Sequence, residues 1–181
     1  MAQGSTIRQF DIELSDVDRH VYEALSVKAA QHPSETGEYL VARVLAYALE
    51  FEEGLGFTAG LGASEEPALQ SRDLTGQLRA WIEVGTPDSA RLHRASKAAG
   101  RVVVYCHKDP DSWLRLLARD KVHASDQITL IGLPPADVAA LAAVLERRNT
   151  WSILHMEDTL TIGIGDTTYK LSLARIPWPE G

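Results

Sequence analysis

The feature that most constrains this chain is a strand, a helix and a second strand packed into residues 79–106, RAWIEVGTPDSARLHRASKAAGRVVVYC. Residues 79–85 alternate, with Arg79, Trp81, Glu83 and Gly85 on one face and Ala80, Ile82 and Val84 on the other. Thr86-Pro87-Asp88 opens a helix over about residues 88–99, and the apolar run at residues 101–106 suits a strand buried on both faces. Strand, helix, strand implies parallel pairing through a right-handed crossover, which commits the chain to layered α/β architecture. Just before it, Thr75-Gly76 predicts the turn of a hairpin that feeds the crossover.

Glu83 lies between Ile82 and Val84, and a carboxylate in such a strand costs stability unless something pairs with it. Asp73 stands ten positions earlier, on the other arm of the turn, where a hairpin is expected to bring it beside Glu83. Two acids converging at strand ends are the minimum equipment for a hard divalent cation, Mg2+ or Mn2+. The plainer alternative stays open for both: Glu83 pairs with an arginine, and Asp73 caps a turn.

The remaining chain supplies the frame. Residues 6–15 read as a strand, and residues 21–31 fit a strand or a helix, the strand preferred because it makes a hairpin with the first. Pro33 and Ser34, the latter as N-cap, open a long helix that Gly54 ends. Val41, Val44, Leu45, Ala48 and Leu49 form its apolar arc, Glu38 falls inside that arc, and Arg43 and Glu50 project to the wet side. A short strand at 57–59 lies in a glycine-rich loop. Residues 110–119 and 135–148 predict helices, and residues 127–133, 151–156, 160–164 and 167–176 predict strands. The sum is one α/β domain over residues 1–181 with a mixed central sheet.

Composition narrows the function. A net charge of −7 argues against coating nucleic acid through bulk electrostatics, though it leaves room for a local basic rim. Cys106 is the single cysteine, so no intramolecular disulfide forms. No apolar run approaches the roughly 18–20 residues of a membrane span, and the first residues lack a basic-then-apolar leader. A cytoplasmic location away from membranes is expected. The histidines show no metal-ligand spacing.

In order, Glu38 on a helix, Asp73 at a strand edge, Glu83 on the next strand, then a helix and a strand resemble the core of the PD-(D/E)XK nuclease superfamily, the restriction-endonuclease-like fold. That resemblance implies magnesium held by Asp73 and Glu83, and a lysine two residues after the glutamate. Gly85 stands there instead. Arg91, then Arg94, on the following helix are the candidates for a migrated cation. The set His32-Pro33-Ser34-Glu35-Thr36, Arg43, Gly60-Leu61, Glu66-Pro67 and Trp81-Ile82-Glu83-x-Gly85-x-Pro87-Asp88 is similar to the YaeQ family of proteobacterial proteins. This implies a bacterial cytoplasmic variant of the restriction-endonuclease-like core, with extra β-hairpins at both ends. The expected activity is metal-dependent phosphodiester hydrolysis at Asp73 and Glu83. Glu38 would assist through a water, Arg91 or Arg94 would meet charge on phosphorus, and nucleic acid would bind at a local site. The alternative is a catalytically degenerate nuclease fold acting as a binding or regulatory module.

Overall fold

Helix α1 (Gly37–Leu49) is buried around nearly its whole circumference, every residue from Leu40 to Leu49 being buried. The expectation of a wet face carrying Arg43 and Glu50 is therefore corrected. The physical reason is that the helix has a sheet on either side, so it has no solvent face to give those groups. In the computed structural model, which describes residues 4–58 and 65–180, Arg43 is 1% exposed and pairs with Glu35 at 2.7 Å. Glu50 accepts a 2.6 Å hydrogen bond from the Tyr105 hydroxyl and pairs with Arg101. The cap also differs from expectation. Thr36 Oγ1 accepts from the Tyr39 amide at 3.1 Å, while the Ser34 hydroxyl is taken by His32 Nδ1 at 2.7 Å.

The first sheet holds β1 (Thr6–Asp16), β2 (Val21–Gln31), β8 (Arg148–Met156), β9 (Thr159–Ile164) and β10 (Thr167–Ser172) in the order β10-β9-β8-β1-β2. The second holds β3 (Leu55–Phe57), β4 (Leu69–Arg72), β5 (Leu78–Val84), β6 (Arg101–Cys106), β7 (Ile128–Gly132) and β11 (Ala174–Ile176) in the order β11-β7-β6-β5-β4-β3. Two mixed sheets thus replace the expected single central one. The N- and C-terminal hairpins join because β1 pairs parallel to β8, from Gln9↔Arg148 to Asp16↔His155. The predicted last strand divides, β10 staying in the first sheet and β11 crossing to β7 in the second.

The crossover appears where the sequence placed it. β5, β6 and β7 run parallel and in order, linked by α2 (Ser89–Ala98) and α3 (Asp111–Leu117). The fourth helix, α4 (Pro135–Ala143), stops five residues before the expected end at 148. Asn149 accounts for this: its amide oxygen accepts from Glu146 N and its nitrogen donates to Glu146 O and Gln9 O. That turn frees the chain at Arg148 to start the strand that β1 needs.

Alternation along the strands divides the apolar side chains into two cores. Phe10, Ile12, Trp151 and Ile153 meet Ile82, Val84 and Val103 across α1 and α4. On the far face of the second sheet, Trp81, Val102 and Val104 pack under Leu92 of α2 and Trp113 of α3. Among the described residues no helix is long and apolar enough to cross a membrane. The short strand expected at 57–59 is displaced to Leu55–Phe57, and Ala59, Gly60 and Leu61 lie outside the described residues.

Candidate functional site

Alternation along β5 turns Trp81 and Glu83 toward α2, against the second core. Glu83 is 3% exposed, near the carboxyl end of the strand. Asp88 caps α2 by accepting from Arg91 N at 2.7 Å, which fixes Arg91 in the first turn. From there Arg91 Nε donates to Glu83 Oε1 at 2.6 Å, and the Trp81 indole donates to the same oxygen at 2.6 Å. The guanidinium also sits 5.9 Å from the centre of the Trp81 ring, and its Nη2 donates to the Glu66 carbonyl. Burial pushes the Glu83 carboxyl up; Arg91 and the indole pull against it without cancelling it.

Other groups arrive from α1 and from the end of β6. Burial drives the Tyr39 phenol up to about 12, with Glu83 and Glu35 adding to the rise and Arg43 and Arg91 opposing it. Its ring stands 6.1 Å from that of His107, edge on. Burial lowers the His107 pKa, Lys108 lowers it further, and Glu38 opposes the shift. His107 is therefore neutral near physiological pH, and its buried Nδ1 has no hydrogen-bond partner among the described residues. Gly85 adopts φ +100, and a Cβ there would meet only the Tyr39 ring edge, at 4.0 Å. The position that carries a lysine in the resembled nucleases is here a left-handed strand end with room beside it.

Among the residues singled out from sequence, Glu83 and Arg91 touch. Arg94, one turn on, is exposed and acts on Glu83 through space. Glu38 is half-buried and its charge is felt by His107 rather than by Glu83. Asp73 is not brought to Glu83, which corrects the expected metal pair. β4 and β5 pair from Leu69↔Ile82 to Arg72↔Leu78, so Asp73 falls before the start of β5. Glu83 lies roughly 16 Å further along that strand. Asp73 Oδ1 instead accepts from Thr75 N at 2.8 Å, Thr75 Oγ1 at 2.6 Å and Gln77 N at 3.0 Å, and the Thr75 bond leads in holding its carboxyl low.

The register brings forward a residue with no site role assigned from sequence. Counting back from Leu69↔Ile82 sets Ala68 level with Glu83 and Glu66 level with Gly85. The Arg91–Glu66 contact agrees with that count. The signal was present in the turn itself, since residues equidistant from Thr75-Gly76 face one another. Trp81 and Tyr39 likewise join the site with no site role assigned from sequence.

For a divalent metal the fit is partial. Among the described residues no group of three or more His, Cys, Asp or Glu converges. Magnesium, however, commonly takes only one or two carboxylates and completes its shell with water and substrate phosphate. Glu83 meets that lesser demand, and Glu66, whose backbone carbonyl takes Arg91, carries an exposed carboxylate on the segment entering β4.

Comparison with known proteins places these features in company. A family model described as "YaeQ protein" matches residues 1–173. The chain is 36% identical over 107 residues to "Uncharacterized protein YaeQ" of Escherichia coli (strain K12), and 35% identical over 107 residues to that of Salmonella typhi. Each match spans 59% of this chain and 59% of the relative. Among solved structures, the YaeQ protein from Pseudomonas syringae superposes with a TM-score of 0.89 at 30% identity, over 96% of both chains. That from Xanthomonas axonopodis pv. citri gives 0.87 at 30% identity, over 97% of this chain and 99% of the other.

Proposed function

Because the chain belongs to the YaeQ family, we propose that it is a metal-dependent phosphodiesterase of nuclease type on a restriction-endonuclease-like core, centred on Glu83. The observation that carries this is a buried carboxylate at the carboxyl end of β5, clamped by Arg91 within reach of the segment entering β4. Glu83 and Glu66 would hold Mg2+ or Mn2+, which supplies a polarised phosphoryl oxygen and an activated water when bound. Arg91 carries a planar fork of donors matched to phosphate oxygens, and Arg94 adds a second cation one turn away. The Trp81 indole holds the Glu83 carboxylate in one orientation.

Incubation with single- and double-stranded DNA and RNA in Mg2+ or Mn2+ tests the assignment. Wild type is expected to cleave one of them, and Glu83→Gln and Glu66→Gln to abolish cleavage. Equal activity in wild type and both variants would trace to contamination and remove the assignment.

A second reading is a catalytically degenerate member of the same fold that binds without cutting. Gly85 in place of lysine favours it, as does the direct contact between Arg91 and the carboxylate a metal would need. Calorimetry separates the two, because only the phosphodiesterase requires Mn2+ binding that disappears in Glu83→Gln.

A further inference from the structure

On the outward face of the first sheet, Gln9 of β1 pairs with Lys28 of β2 on one side and with Arg148 of β8 on the other. Lys28, Gln9 and Arg148 therefore form a row across three strands, with the two cations about 10 Å apart at their Cα atoms. Arg147 stands beside the row, and with Ile7, which is 51% exposed, these residues line a concavity of about 520 Å³. All three cations are exposed, and among the described residues their side chains form no hydrogen bond or ion pair. Glu13 and Asp11 both lie on this face, and Arg148 acts through space on Asp11. Its carboxylate is taken by the Ser26 hydroxyl at 2.6 Å and the Gln9 amide at 3.2 Å. Three exposed cations crowd one hollow, and Asp11 offsets Arg148 only through space.

We propose that Lys28, Arg147 and Arg148 form a docking strip for the phosphodiester backbone of a single-stranded nucleic acid, which they hold for the Glu83 site. As a partner for that site, the strip rests on the phosphodiesterase reading. Two arginine forks match phosphate oxygens, and the exposed Ile7 offers an apolar surface to a base. The strip lies at the end of the sheet from which the chain enters α1. Gln31 Nε2 donates to Glu35 O, Arg43 of α1 reaches the Ala30 carbonyl, and Tyr39 of the same helix stands by Glu83.

Fluorescence anisotropy of a labelled single-stranded oligonucleotide, in chelator so that no cleavage occurs, tests the strip. Three phosphate contacts predict a log–log salt slope of about −2 for wild type between about 20 and about 200 mM. Lys28→Gln, Arg147→Gln and Arg148→Gln together are expected to weaken binding by at least about tenfold and to flatten that slope. Circular dichroism checks that the variant is folded. The proposal is overturned if wild type fails to bind at low salt, or if the triple variant binds within about twofold with the same slope. It is also overturned if the triple variant loses only binding to phosphatidylserine vesicles. Strip-dependent binding without cleavage in Mn2+ keeps this inference and removes the phosphodiesterase reading. Glu83-dependent cleavage with strip-independent binding does the reverse.

Discussion

In an Arg91→Ala variant the Glu83 carboxylate keeps only the Trp81 indole as a hydrogen-bond donor among the described residues. Removing one partner of a fully buried ion pair costs about 3–5 kcal/mol. Here the Arg91 side chain is 22% exposed and that of Glu83 4%, so solvent already screens part of the pair. A loss of about 2 kcal/mol follows, or a fall in Tm of roughly 4–8 °C for a domain of this size. The pH dependence identifies the cause. Burial already raises the Glu83 pKa, and loss of the guanidinium raises it further. Between the ordinary carboxylate value of 4.5 and the raised one, the folded state holds a proton that the unfolded state releases. Stability therefore falls as pH rises through that window, by at most about 1.4 kcal/mol per pH unit. Urea unfolding should show a small difference from wild type near about pH 5 and a larger one near about pH 8. Adding Glu83→Gln to Arg91→Ala should restore stability at the higher pH. Equal losses at both pH values, with no rescue, would refute the idea that an uncompensated Glu83 charge is responsible.

Other variants test the remaining features. Arg43→Met leaves Glu35 buried without its partner and should cost about 3 kcal/mol in urea unfolding, most of which returns when Glu35→Leu is added. Gly85→Ala should lose about 1–2 kcal/mol through its φ of +100 alone, since the Tyr39 ring leaves space. Gly56→Ala, with nothing within 4 Å and no positive φ, serves as the silent control. Asp73→Ala should lower Tm at neutral pH by removing the turn cap, yet leave any phosphodiester cleavage intact. The depressed Asp73 pKa gives stability above the unfolded value, which is lost as pH falls through the folded one. The gap between wild type and Asp73→Ala therefore closes in acid.

Much of the fold was legible because local chemistry set it. The alternation in residues 79–85, the Asp88 cap and the run RVVVYC gave β5, α2 and β6 almost to the residue. What failed depended on distant partners. Arg43 and Glu50 look like wet-face residues until a second sheet is known to cover α1, and that sheet exists only because Arg148–Met156 returns to β1. At the site, Glu83 and Arg91 could be named from strand and helix phase. Asp73 is expected beside Glu83 from its place on the other arm of the turn, yet hairpin register pairs residues at equal distance from the turn and leaves Asp73 before the start of β5. The same count, applied before the structure, would have pointed to Glu66.

The parallel pairing of β1 with β8 also sets a timetable. The β1–β2 hairpin closes from local contacts, but its other neighbour is some 140 residues away in the chain, at Gln9↔Arg148. During synthesis that hairpin waits roughly ten seconds with β1 unpaired along one edge and Phe10, Ile12 and Leu14 uncovered. So long a loop must close before its contacts repay it, which makes completion of this sheet a slow step of folding. An unpaired strand edge beside exposed apolar side chains is also where another chain can add on. Nascent or C-terminally shortened chains are therefore the forms most prone to aggregate.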